Sequence, residues 1–188
     1  MKKICTILVA LVLIGSVSAQ AQLKFGVKAG ANFSKLSSSN PQDQFENLTA
    51  WHGGLMLELK LPILGIEVDA IYTQNGTKFD AGTAIEELKN TYIAVPVLVK
   101  LYILKVLNIH AGPQFSFLTS SKLGDFDYKN QLASSDLQIV FGAGVDLGRL
   151  HGSLRYNLGV KDINANALNP NTLKNNAVML SVGIWLKK

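Results

Sequence analysis

Three histidines, His52, His110 and His151, and a set of acids and bases spaced two apart are the residues with chemistry to offer. A hydrolase would need one imidazole beside a serine hydroxyl and a carboxylate, so that the ring could take the hydroxyl proton. His110 and Ser116 are an even number of residues apart and share one face of an extended strand. No G-x-S-x-G elbow or other nucleophile signature accompanies them. His52 and His110 do not form a metal-ligand spacing. Gly124-Asp125-Phe126-Asp127 hints at calcium but lacks the full set of oxygen ligands. No catalytic, cofactor-binding or metal-binding set follows from these residues.

The charges form a clearer pattern. Lys28, Glu58, Lys60, Glu67, Asp69, Lys100, Asp146 and Arg155 each fall on the polar face of a segment whose other face is oily. A mixed-sign face of this kind lines either a charged passage or a salt-bridged plug. Glu58 and Lys60 lie across a turn from Glu67 and Asp69, which makes them the expected cross-strand partners.

The elements that position these groups are strands. In residues 51–61, Trp51, Gly53, Leu55, Leu57, Leu59 and Leu61 make one face, and His52, Met56, Glu58 and Lys60 the other. That period of two is the mark of a strand with two different surroundings. The same alternation recurs at 23–33, 66–75, 91–102, 107–118, 136–147, 150–159 and 177–187, giving eight strands. Pro96 predicts a bulge or a lost ladder bond in the fourth. Long polar connections at 34–50, 76–89, 119–135 and 160–175 alternate with tight turns near 62, 104 and 148. An even number of ten- to twelve-residue strands with long and short connections in alternation is the layout of a transmembrane barrel. The expected fold is therefore an all-β, eight-stranded antiparallel up-and-down β-barrel. Its interior would be just filled by side chains, which favours the plug.

A soluble lipocalin-like carrier of lipid in the periplasm would show the same alternation with its oily face inward. Two features favour the membrane. The oily face is nearly free of charge, where a water-facing wall should be rich in Lys and Glu. The other face mixes both signs with Gly and Ser. Phe33, Trp51, Tyr72, Tyr92, Phe117 and Tyr156 fall toward the long-connection ends and are read as an aromatic girdle.

Composition agrees. Only 16% of the 188 residues are charged, against about 25% in soluble domains. Mean hydropathy is +0.22. Residues 1–21 read as a secretory signal peptide: Lys2 and Lys3, an apolar run, then Ala19-Gln20-Ala21 as the cleavage site, with Val17-Ser18-Ala19 as a second candidate. Residues 22–188 then form one barrel domain. The single cysteine, Cys5, lies in the leader, so the exported chain has neither disulfide nor thiol. Without Lys2 and Lys3 the net charge is +3, from 16 basic and 13 acidic residues, and no basic stripe suggests nucleic acid.

Tyr92-Ile93-Ala94-Val95-Pro96-Val97-Leu98-Val99-Lys100-Leu101, Ala111-Gly112-Pro113-Gln114, Phe141-Gly142-Ala143-Gly144-Val145 and Arg155-Tyr156-Asn157-Leu158-Gly159 resemble, in order, the motifs of the PorT-like family of small outer-membrane β-barrels. The likeness spans essentially all of the exported chain. It implies an eight-stranded barrel in the outer membrane of a Gram-negative envelope, and no settled activity. Outer-membrane strands finish on an aromatic residue that engages the barrel-insertion machinery; this chain finishes Trp185-Leu186-Lys187-Lys188. Both termini are expected in the periplasm, with lipid around the barrel and a protein or surface ligand at the four long connections. A lipid-modifying enzyme in the same membrane is the alternative, because a fold does not fix a function.

Overall fold

The computed structural model describes residues 22–38, 46–80, 85–123, 126–127, 133–163 and 173–187. The proposed leader, residues 1–21, lies outside them.

Strands β1 (Gln22–Ser38), β2 (Glu46–Lys60), β3 (Leu64–Asp80), β4 (Ile85–Leu104), β5 (Leu107–Leu123), β7 (Ser135–Leu147), β8 (Leu150–Gly159) and β9 (Leu173–Lys187) build one sheet. β6 (Phe126–Asp127) is a two-residue strand folded onto the end of β5. Neighbours in sequence pair antiparallel, and β1 pairs with β9, so the eight long strands close a barrel. Closure leaves no unpaired edge, which lets a sheet sit in lipid.

Short turns join the strands at 61–63, 105–106 and 148–149. In the last, Gly148 has φ of +63°, the left-handed conformation that a two-residue hairpin turn needs. Elsewhere a glycine sets the wall's curvature. A Cβ on Gly30 would stand 1.9 Å from the Leu180 carbonyl oxygen of the neighbouring strand.

The long connections are shorter than expected. β3 runs to Asp80 and β4 begins at Ile85, so most of 76–89 is strand, with ladder pairs from Gly76↔Lys89 to Asp80↔Ile85. β1, β2, β5 and β9 also extend into segments read as loops. The physical reason is that above the oily band no contrast between lipid and lumen sorts the residues of a strand into two faces. The β3–β4 ladder runs through this region unbroken, though β2–β3 shifts register between Asn47 and His52, and the sequence carries no alternation to reveal it. β7 and β8 do not extend in this way. Their ladder starts at Gln138↔Gly159, so the wall is lower on that side.

At Pro96 the β3–β4 ladder skips, yet Val68↔Val97 and Ile71↔Ala94 keep one register. The outcome is a lost bond, as expected for a residue without an N–H, and not a bulge.

The oily face points outward. Leu55, Leu57 and Leu59 are exposed while Met56 and Glu58 between them, and His52 before them, are buried. Val182 is 68% exposed and Leu154 54%. An apolar belt this complete needs lipid around it. The inward-facing oily lumen of a lipid carrier is not what the strands form.

Candidate functional site: the packed interior and its two rims

Parity along the strands sends every second side chain inward, so the interior is built from the polar faces. Its lower half, toward the short turns, is a charge network. Arg155 of β8 donates from Nη1 to Asp69 Oδ2 at 2.8 Å and from Nη2 to Glu67 Oε1 at 2.5 Å. Both acids are on β3, so these bonds span the lumen. Lys28 of β1 binds Asp69 and sits 3.4 Å from Glu67. Lys100 of β4 donates to Glu67 Oε2 at 2.5 Å and to Glu58 Oε2 at 3.3 Å.

Nearer the turns, the Tyr102 hydroxyl lies between Glu58 and, at 2.9 Å, Asp146 Oδ2, with one hydrogen to share between the two carboxylates. Asp146 also accepts from Trp185 Nε1 at 3.0 Å and contacts His151 Nδ1 at 2.8 Å. Lys24 lies 4.0 Å from both Glu58 and Asp146. Four cations (Lys24, Lys28, Lys100, Arg155) thus face four carboxylates (Glu58, Glu67, Asp69, Asp146), all buried. Such a balance is what permits charge in a dry lumen, since breaking one pair would strand its partner.

Of the residues picked from sequence, Lys28, Glu58, Glu67, Asp69, Lys100, Asp146 and Arg155 meet in this network. Lys60 does not. The register sets Lys60 opposite Gly65 and Glu58 opposite Glu67, so the expected Glu58/Lys60 to Glu67/Asp69 pairing does not form. Lys60 is half-buried at the rim, its Nζ 3.6 Å from the centre of the Tyr102 ring and 3.2 Å from the Lys105 carbonyl oxygen. The directly opposed acids Glu58 and Glu67 are held together by Lys100 from the adjacent strand. Tyr102, Trp185 and His151 complete the network, and residue type alone does not reveal them. Their one signal is parity, which puts two large aromatics on the same faces as Lys100 and Ser181.

The upper half is built of uncharged polar groups apart from Asp136, which is buried and accepts from Gln138 Nε2 at 2.8 Å. His52 bonds Asn32 Oδ1 at 2.6 Å and Ser181 Oγ at 2.8 Å. Gln114 donates to Gln138 at 2.9 Å, and Asn157 donates to both at 3.2 Å. Ile71, Ala94 and Met179 pack as an apolar layer, and Tyr92 packs on Leu118 above. Tyr92 is therefore not part of the girdle. It is fully buried, because alternation puts it on the same inward face as Ala94 and Leu98. The other five, Phe33, Trp51, Tyr72, Phe117 and Tyr156, are exposed outward, with the Trp51 and Tyr72 rings 5.6 Å apart.

His110 and Ser116 do not meet. His110 Nε2 accepts from Arg155 Nε at 3.2 Å and Nδ1 bonds Asn108 at 3.0 Å. Ser116 Oγ instead accepts from Gln114 at 3.3 Å. Six strand residues separate the two, about 20 Å of rise. Among the described residues no three His, Cys, Asp or Glu groups converge as a metal site. Gly124 and Asp125 of the calcium-like run lie outside the described residues.

Residues 18–164, most of the chain, match the family of the outer membrane protein beta-barrel domain. The chain belongs to the outer membrane protein β-barrel domain family. It is an integral outer-membrane protein, with its oily belt in lipid and a network of charges enclosed. No curated protein matches it. Among solved structures, the attachment invasion locus protein Ail of Yersinia pestis, in complex with the heparin analogue sucrose octasulfate, shares 13% identity at a TM-score of 0.56, over 88% of this chain and 99% of Ail. Neisserial surface protein A shares 20% at 0.52, over 87% and 97%. OprG of Pseudomonas aeruginosa shares 12% at 0.51, over 90% and 98%. These likenesses are of fold: small outer-membrane barrels of the same architecture.

Proposed function

We propose that this barrel is a non-enzymatic, non-conducting scaffold that presents its long connections for contact at the cell surface, as a PorT-like member of its family. The observation that carries the reading is the interior. Within the described residues the lumen is crossed by Arg155–Asp69 and Arg155–Glu67 contacts and layered with buried side chains, which supports a filled, inert interior. What remains free to act is the end where β1–β5 and β9 stand above the oily belt. Loops on a rigid wall are where recognition concentrates. The segments 34–50, 76–89, 119–135 and 160–175 would meet the partner. The termini would lie in the periplasm, after cleavage of residues 1–21 and insertion by the barrel-assembly machinery.

Planar-bilayer recording tests the closed interior: the protein should add no steady conductance, and stepwise openings would refute the plug. Ail, in the complex above, supplies a first ligand chemistry to try. Proteoliposomes should bind an immobilised surface ligand such as a sulfated polysaccharide only while 39–45 and 164–172 are intact. Release of fatty acid from the vesicles, abolished by His110→Ala, would instead support the lipid-modifying alternative.

A further inference from the structure

At the short-turn end the surface charge has one sign. Lys105 and Arg149 sit in the turns, Lys187 ends β9, and all three side chains are exposed; Lys60 ends β2 half-buried beside them. The acids of this end, Glu58, Glu67, Asp69 and Asp146, are all buried in the lumen. Among the described residues no exposed Asp or Glu offsets the four cations. The opposite rim differs: its strands carry Glu46, Asp80, Glu86 and Glu87 among Lys78, Lys89 and Lys122.

A second, independent feature marks the same rim. Membrane strands are usually anchored at the headgroup level by Trp and Tyr, which have one apolar and one polar end. Here both such residues near the short turns face inward. Trp185 gives its indole hydrogen to Asp146, and the Tyr102 hydroxyl lies between Glu58 and Asp146. The belt at this level is aliphatic apart from Phe25, with Ile63, Ile103 and Leu150 each 63% exposed and Leu104 60%. Anchoring at this level therefore falls to the cations, which stand just beyond the last apolar residues.

We infer that the short-turn rim is a binding surface for the phosphate groups of anionic phospholipids, with Lys105, Arg149 and Lys187 as the contacts and Lys60 in support. Arg and Lys donate several N–H bonds to phosphate oxygens without needing a pocket. The long, flexible stems reach from the apolar belt to the charged layer. Each cation near an anionic bilayer surface favours it by about fivefold. The inference is separate from the proposed role of the opposite end and does not depend on it.

The test is native mass spectrometry of the detergent-purified protein with equal amounts of phosphatidylglycerol and phosphatidylcholine of matched chains. The wild type should retain the anionic lipid at least about tenfold better, from three cations at about fivefold each. Lys105→Gln/Arg149→Gln/Lys187→Gln should lower that preference at least about tenfold. These side chains are exposed at the rim, so the heat-dependent gel shift of a closed barrel should persist. Lys122→Gln/Lys174→Gln, at the other rim, should leave the preference unchanged. Raising the ionic strength to about 1 M, where the Debye length is ~3 Å, should erase it in the wild type without any mutation. Equal retention of both lipids, a preference that survives the triple variant, or one lost on changing the other rim would overturn the inference. Loss of the gel shift in the wild type would instead refute the barrel itself.

Discussion

Replacing Arg155 by methionine tests whether the interior is a balanced plug. The guanidinium holds Asp69 at 2.8 Å and Glu67 at 2.5 Å and donates to His110 at 3.2 Å, all out of water. Methionine keeps much of the volume and removes the charge, leaving three buried cations against four carboxylates. Breaking a buried pair from one side costs about 3–5 kcal/mol, mostly from the stranded partner. With a denaturant slope of about 2 kcal/mol per molar, the urea midpoint of the refolded barrel should fall by about 2 M. The readout is the fraction of heat-shifted barrel after equilibration in vesicles with urea. The sharper test is Arg155→Met/Asp69→Asn, which restores three against three. It should recover about half the loss or more, so the two substitutions couple strongly. A single-variant shift below about 0.5 M, about 1 kcal/mol, would show that the network contributes little. So would a double variant as weak as the sum of the singles, and the charges would then have to be solvated by water in an open lumen.

Other outcomes follow from the wall and the rims. Leu154→Arg puts a charge on the lipid face at a site 54% exposed, and should cost about 2–4 kcal/mol in vesicles if it lies near the midplane; an unchanged unfolding midpoint would contradict the outward oily face. Gly30→Ala drives a methyl to 1.9 Å from the Leu180 carbonyl oxygen, so β1 and β9 must part by about an ångström or more. It should reduce the yield of heat-shifted barrel more than Gly53→Ala, where the nearest atom outside the glycine's neighbours is 3.8 Å away. Asp146→Ala removes the acceptor shared by Trp185, Tyr102 and His151 and should shift the Trp185 emission to longer wavelength as water enters. Trp51→Phe in the same protein leaves Trp185 as the sole tryptophan, and an unchanged spectrum would show that Asp146 does not close that end.

The alternation of side chains makes the barrel legible in the amino-acid sequence. A period of two sorts residues into two faces wherever those faces meet different media, and the eight strands between the oily belt and the lumen obey it. The order of long and short connections, the tight turn at Gly148 and the weak point at Pro96 are readable on the same local grounds. Where no contrast between lipid and lumen sorts the faces, as along 76–80 and 85–89, local pattern is silent, and only the ladder between β3 and β4 reveals strand. Parity also says that Lys60, Glu58 and Glu67 share a face, but not which of them touch. Contact across a closed barrel depends on register and shear, which join residues far apart in the chain. That is why Arg155 on β8 meets acids on β3, while Lys60, so close in sequence to Glu58, lies at the rim over Tyr102. Tyr92 makes the same point from the other side: its type suits a girdle, and its place on the inward face makes it core. Residue type and period thus determined the strands and which face is oily; closure of the sheet alone decided which charges neutralise one another and which were left outside.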